Sequence, residues 1–296
     1  MAEKVRDRWA AWLLERRHGG DPKDLKATME FLIPVRDRVL RNASLTGGET
    51  LLDVGAGDGL IAFGALELLG DEGRVIFSDI SLDLIDHGRS LAREMGVLDR
   101  CEFVRASADD LSELEDASVE AVTTRSVLIY VKDKRRAFDE FHRVLRPGGR
   151  LSIFEPINSF TYPEPPHLFG GHDVTSVADL AEKVKAVFTY RQPPDKDPML
   201  DFAERDLFDF AERAGFEEIH LSCEAKTIPG NLRDASRDWE TALRSAPNPL
   251  APTLGEAMAE ALTPAEAERF TAHLRPLIER GQRRGRDAVA YLWAIK

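Results

Sequence analysis

Between Leu51 and Leu69 the chain passes from one apolar stretch to another through three alternate glycines, in LLDVGAGDGLIAFGALELL. TLLDV has the length of a buried strand, and LIAFGALELL has an apolar helical face that ends at Gly70. Glycine at positions 55, 57 and 59 lets the backbone between them pass close to a ligand. The helix that follows aims its free N–H groups at the same place. Strand, glycine turn and helix are therefore read as one unit with a ligand against the turn.

The same texture repeats downstream. GRVIFSDI, CEFVRA, SVEAVTTRSV and GRLSIFEP read as further strands. LDLIDHGRSLAREMG and KRRAFDEFHRVL read as helices, the second closed by a turn at Pro147-Gly148-Gly149. Strands alternating with helices of this length predict a parallel sheet covered on both faces. FEEIHLSCEAKTI and DAVAYLWAI read as two later strands, with DLFDFAERAG as a helix before them.

Around this core the spacing predicts other material. Residues 1–45 read as an N-terminal helical cap, with Trp9, Trp12, Leu13 and Arg16 at helical spacing and a break at HGGDP. The core proper spans 46–160, continued by 201–230 and 286–296. Residues 156–200 are rich in proline and read as an irregular lid. Residues 231–285 read as a helical insertion cut by prolines. Within it TPAEAERF starts a helix, with Thr263 as cap, Pro264 at the first position and Glu266 closing the capping box.

Composition removes several function classes. The formal charge of the 296 residues is -12, which gives no net attraction to a nucleic-acid backbone. RRGR at 283–286 is short and reads as a solvated turn. Two cysteines, Cys101 and Cys223, lie far apart and outside any metal-binding spacing, so no metal and no disulfide are expected, and both read as buried. The N-terminus has no apolar core of signal-peptide length, and no stretch reaches the roughly 18 apolar residues of a membrane span. The expectation is a soluble, cytoplasmic protein with no membrane or nucleic-acid partner.

The glycine spacing, G-x-G-x-G followed by Leu60, does not match the dinucleotide pattern. Asp53 precedes the glycines, and Asp79 ends the second strand. A carboxylate at Asp79 can accept hydrogen bonds from both hydroxyls of a ribose and would repel a 2′-phosphate. Gly59 serves either the ligand or only helix–strand packing.

LLDVGAGDG, VIFSDIS, ASADDL, VLIYVKDKRRAFDEFHRVLRPGG and RLSIFEP stand in this order between about residues 45 and 160. Together they resemble the class I S-adenosylmethionine-dependent methyltransferases, of the ubiquinone/menaquinone and small-molecule group. The resemblance implies an α/β, Rossmann-like, doubly wound sheet, mostly parallel with an antiparallel last strand. It implies S-adenosyl-L-methionine as cofactor, with S-adenosyl-L-homocysteine as product. Asp53, Gly55 and Gly57 would line its methionine part. Asp79 would hold the ribose, Ile80 would pack on the adenine, and Ala108 and Asp109 would meet the adenine edge. Thr124, Arg125 and Ser126 would end the fourth strand beside the sulfonium. Ser107 departs from the family, which often has an acid there.

Acceptor groups should lie above the carboxyl ends of the strands. Glu155 is the candidate general base or acceptor-orienting group, with a turn cap as the alternative reading. His167 and His172 are further candidate bases, against a surface role. Tyr130, Asn158, Tyr162 and Trp239 are candidate acceptor contacts. Arg125 either grips an acceptor carboxylate or phosphate or pairs with a neighbouring acid. Arg16, Arg17 and His18 close the first helix and either reach the methionine carboxylate or simply complement the dipole of that helix. The insertion either covers a bulky organic acceptor or makes a homodimer contact. The leading reading is methyl transfer to a small molecule. RNA or protein methylation, and a non-catalytic binding protein, are the alternatives.

Overall fold

A computed structural model of the chain describes residues 5–228 and 237–296. Asp7 caps a short helix, α1 (Arg8–Ala11), by accepting from the N–H groups of Trp9 and Ala10. The chain continues as a π-helical turn, Trp12–Arg16. Asp21 and Pro22 then start α2 (Pro22–Ala43).

The strand β1 (Thr50–Val54) lies at the centre of the sheet because Leu51 and Leu52, on opposite faces, are both fully buried. The glycine turn leads from it into α3 (Leu60–Leu68). Then follow β2 (Arg74–Asp79), α4 (Leu82–Glu94), β3 (Cys101–Arg105), β4 (Val119–Arg125), α5 (Lys134–Val144) and β5 (Leu145–Pro156). These five strands pair in parallel. Pro147-Gly148-Gly149 is not a separate turn. It lies within β5, where a register shift opposite Val119 and Ala121 and a positive φ at Gly148 absorb it.

The segment from 156 to 200 is more ordered than its prolines suggest. It contains α6 (Asn158–Thr161), a hairpin of β6 (Leu168–Phe169) and β7 (His172–Asp173), and the 14-residue α7 (Ala178–Arg191). Leu180, Ala181, Val184 and Val187 form its buried face at helical spacing. Next come α8 (Glu204–Ala214), β8 (Glu218–Ile228), α9 (Trp239–Arg244), α10 (Leu254–Ala261), α11 (Pro264–Glu279) and β9 (Gly285–Ile295). Thr263 and Glu266 form the capping box expected for α11. Residues 231–236 of the expected insertion lie outside the described residues.

The sheet order is β3-β2-β1-β4-β5-β9-β8, and β9 runs antiparallel to both neighbours. One face is covered by α5 and α8, with Phe138, Phe141 and Leu207 against Leu52, Val122 and Leu151. The other is covered by α2 and α3, with Val35, Val39 and Ile61 against Leu51, Phe77 and Phe154. Of the N-terminal helices, α2 thus belongs to the sheet's own layers. A third apolar cluster joins α7 to α9, α10 and α11, through Val184, Trp239, Met258, Phe270 and Leu274. The expected lid and insertion form one helical unit with its own core. Cys223 is exposed on β8, and Cys101 is only partly buried. Neither is the buried cysteine that its neighbours suggested, because edge strands leave one side open to water.

Candidate active site

A cavity of about 830 Å³ opens above the carboxyl ends of β1, β2, β4 and β5. That volume suits an organic ligand. Gly55 and Gly57 form part of its wall. Both have positive φ, and a Cβ at Gly55 would sit 2.3 Å from Val127. Only glycine fits this turn without moving the loop after β4. Gly59 does not reach the wall. A Cβ there would sit 2.4 Å from the Phe63 ring, so its role is packing between α3 and the sheet.

Asp79 reaches the cavity from the end of β2. Its Oδ2 accepts from the Gly57 N–H at 3.0 Å and its Oδ1 from the Ser81 N–H at 2.9 Å. Each oxygen keeps lone-pair capacity for one more donor, which suits a vicinal diol. Burial raises its pKa, and the two backbone donors oppose that rise. Ile80 stays half-exposed on the same wall and offers an apolar face. Ala108 and Asp109 stand beside it, and the Ser107 hydroxyl donates to Asp109.

On the other side stand Arg125, Ser126, Tyr130 and Asn158. Glu155 does not join them. It is fully buried, and its carboxylate accepts from the N–H groups of Val127, Leu128 and Ile129 at 2.9, 3.0 and 3.3 Å. Burial pushes its pKa up to about 7. The expected base is instead a positioning group that fixes the loop carrying Tyr130.

Residues 52–153 match the family model described as a methyltransferase domain. Residues 52–153 of this chain thus carry a methyltransferase domain. The ubiquinone/menaquinone biosynthesis C-methyltransferase UbiE of Enterobacter sp. is 36% identical over 108 residues, covering 36% of this chain and 43% of that protein. The chain spans about half the length of the curated relatives it matches. Among solved structures, YcgJ of Bacillus subtilis superposes with a TM-score of 0.54 at 17% identity, over 88% of this chain and 97% of that one. Phosphoethanolamine N-methyltransferase 2 of Haemonchus contortus, in complex with phosphomonomethylethanolamine and S-adenosylhomocysteine, has a TM-score of 0.50 at 16% identity. It covers 89% of this chain and 52% of that one. At such identities the structures speak for the fold alone.

The methyltransferase cavity gathers Gly55, Gly57, Asp79, Ile80, Ala108 and Asp109 with Arg125, Tyr130 and Asn158. Other expected residues lie elsewhere. Asp53 is buried beneath the turn, accepting from the Thr123 hydroxyl at 2.9 Å and the Ala62 N–H at 3.1 Å. It shapes the glycine turn from below. His172 Nδ1 lies 2.9 Å from the Gln282 carbonyl oxygen, which ties the β6–β7 hairpin to the end of the cover. His167 lies on the same stretch, where its carbonyl accepts from Val174, and no histidine lines the described cavity wall. Trp239 is buried in the helical cluster, because α9 packs its face against α10 and α11. Tyr162 lines a second cavity of about 440 Å³, which shares Asn158, Met199 and Pro247 with the first.

One contribution has no local signature. The buried Lys134 ammonium donates to the carbonyls of Val131 and Pro198 and to Asp201, which clamps the Met199 segment over the cavity. The N-terminal segment forms the roof with Trp9, Trp12, Leu13 and Arg17. It is tied to the sheet where Ser81 donates to Asp7 at 2.6 Å. It is tied to the cover where the Trp12 indole donates to the Ala246 carbonyl at 2.9 Å.

Proposed function

We propose that this methyltransferase transfers the methyl group of S-adenosylmethionine to a small organic acceptor held beneath the helical cover. The observation that supports this most is the single cavity in which the glycine turn and Asp79 face Arg125, Tyr130 and the covering residues Trp12 and Pro247. When bound, S-adenosylmethionine supplies a sulfonium methyl that is already electrophilic. Asp79 would hold the ribose, the Gly55–Gly57 backbone would admit the methionine part, and Ile80, Ala108 and Asp109 would meet the adenine. The protein's part in the rate is to align the acceptor and exclude water. The roof of Trp9 and Trp12 supports that reading, and so does the Glu155 carboxylate, which is taken up by three backbone N–H groups. The family model ends at residue 153, before the cover elements. The acceptor is therefore argued from this chain rather than from UbiE. The second cavity beside Met199 gives room for an acceptor larger than one ring.

The test is incubation of the protein with methyl-labelled S-adenosylmethionine and a cell extract split into metabolite, RNA and protein fractions. Label is expected in one small metabolite. Label in RNA or protein would replace the acceptor class. Bound cofactor with no label in any fraction would favour a non-catalytic binding protein.

A further inference from the structure

The chain carries strong negative charge, yet its cavity wall is cationic. Arg8, Arg17, Arg125, Lys132 and Arg237 line it, against only Asp79 and Asp109. Asp79 ends β2 and Asp109 follows β3, while Arg125 ends β4. Arg237 is paired with Asp24. The guanidinium groups of Arg17 and Arg125 donate no hydrogen bond and form no ion pair among the described residues. Arg17 is partly buried, with its guanidinium 5.3 Å from the centre of the Trp12 ring.

Two like charges held together away from water repel unless something neutralises them. Burial and then Arg125 lower the pKa of Arg17, so the two cations do act on each other. The acids nearby form no ion pair with either arginine among the described residues. Asp58 acts on Arg17 from a distance and accepts from the Leu60 N–H. Asp53 and Glu155 are buried, hydrogen-bonded elsewhere, and pushed up to about 7. S-adenosylmethionine brings a sulfonium, an ammonium and one carboxylate, so its binding adds net positive charge.

Resting on the methyl-transfer reading above, we propose that Arg17 and Arg125 form an anion clamp for the acceptor, which therefore carries a carboxylate or phosphate. A guanidinium fork suits either group. Tyr130 lines the same cavity, and both arginines act on its hydroxyl. Burial raises its pKa, so its hydroxyl stays protonated and can donate a third hydrogen bond. Its ring meets Trp9 edge-on at 5.0 Å, so the clamp is bordered by aromatic surface. That surface suits an acid with a flat or apolar body.

The experiment uses the full chain loaded with S-adenosylhomocysteine, with the fluorescence of Trp9 and Trp12 as reporter. Benzoate, inorganic phosphate and the neutral benzamide are titrated in turn. At least one anion should bind about tenfold or more tighter than benzamide. R17Q and R125Q should each remove most of that preference while changing S-adenosylhomocysteine affinity by less than about threefold. Benzamide binding as well as both anions would overturn the clamp, and this comparison needs only the wild-type protein. The clamp for the acceptor also fails if the variants lose S-adenosylhomocysteine affinity but keep that for 5′-methylthioadenosine, which lacks the amino-acid end. That result would give the arginines to the cofactor's own carboxylate. A wild-type protein that binds neither nucleoside would instead sink the cofactor reading, and the acceptor assignment with it.

Discussion

In the sheet, β1 is paired along its length with β2 and over four residues with β4, and the glycine turn leaves its end directly. In the cover, α7, α9, α10 and α11 share a buried cluster but no backbone ladder. The cover's ties to the N-terminal segment join residues more than 200 positions apart, such as Trp12 to Ala246 and Arg16 to Glu256. One region is set by contiguous strand–turn–helix units, and the other by side chains that meet only after the chain has folded. The cofactor end of the cavity is therefore built on hydrogen-bonded backbone. The covered end, where the proposed acceptor would sit, is built on packing, which is easier to loosen and easier to vary.

The strongest way to break this contrast is to remove packing from the cover alone. Phe270 is fully buried there and meets Phe169 at 5.9 Å. Phe270→Ala should cost about 3–5 kcal/mol. Hydrogen exchange should lose protection through α7 and α11 while β1, β2 and β4 keep theirs. Equal loss in the strands would show one cooperative unit and dissolve the distinction. The matching change in the sheet half is Asp79→Ala. It should weaken S-adenosylhomocysteine binding by about 1.5–3 kcal/mol, the scale of hydrogen bonds to a charged group. Calorimetric titration checks it. An unchanged affinity would remove Asp79 from the cofactor site, and Asp79→Asn should fall between the two proteins.

The contrast also explains what was legible in the sequence. The order of strands and helices from Thr50 to Pro156, the glycine turn and Asp79 could be read because their signals are local. The roles of Glu155 and Trp239 could not. Glu155 stands at a strand end, as a catalytic acid would. What decides its function is three N–H groups from residues 127–129, and backbone donors have no letter in a sequence. Trp239 is drawn into the cover's core by α10 and α11, which come later in the chain. The helix α7 was legible in principle, since its apolar spacing is regular, but the prolines on either side obscured it. The unpaired state of Arg17 and Arg125 was not legible, because it depends on where every nearby carboxylate ends up.

A smaller effect comes from the acid beneath the glycine turn. Burial raises the Asp53 pKa to about 7 from an ordinary 3.8, against hydrogen bonds from Thr123 and Ala62 and the charge of Arg125. The folded state holds this proton more tightly than the unfolded state. Its contribution to stability is thus full below the unfolded pKa and is lost as pH rises through about 7. Asp53→Asn cannot ionise. Its amide can donate to Thr123 while its oxygen accepts from Ala62. Melting curves should show wild type losing stability relative to the variant between about pH 4 and pH 7. A pH-independent difference would mean that Asp53 is charged throughout.

The smallest effect tests the seam between the regions. The Trp12 indole N–H and the Ala246 carbonyl join roof to cover, and the Ala246 N–H donates back to the Arg16 carbonyl at 3.0 Å. Trp12→Phe removes the first bond and leaves the second, while keeping most of the ring's contact. Ala246 is buried but lines the cavity, so with water from the cavity taking the indole's place the loss should be about 0.5 kcal/mol, the low end for a hydrogen bond. Melting temperature should barely move. If the roof retains the cofactor, S-adenosylhomocysteine should dissociate about two- to threefold faster, with its association rate unchanged. An unchanged dissociation rate would place the closing of the cavity with the Lys134 clamp and not with the N-terminal segment. A fall in melting temperature as large as that of Phe270→Ala would mean that the seam is part of the cover's core, and the boundary between the regions would have to be redrawn on the sheet side of Trp12.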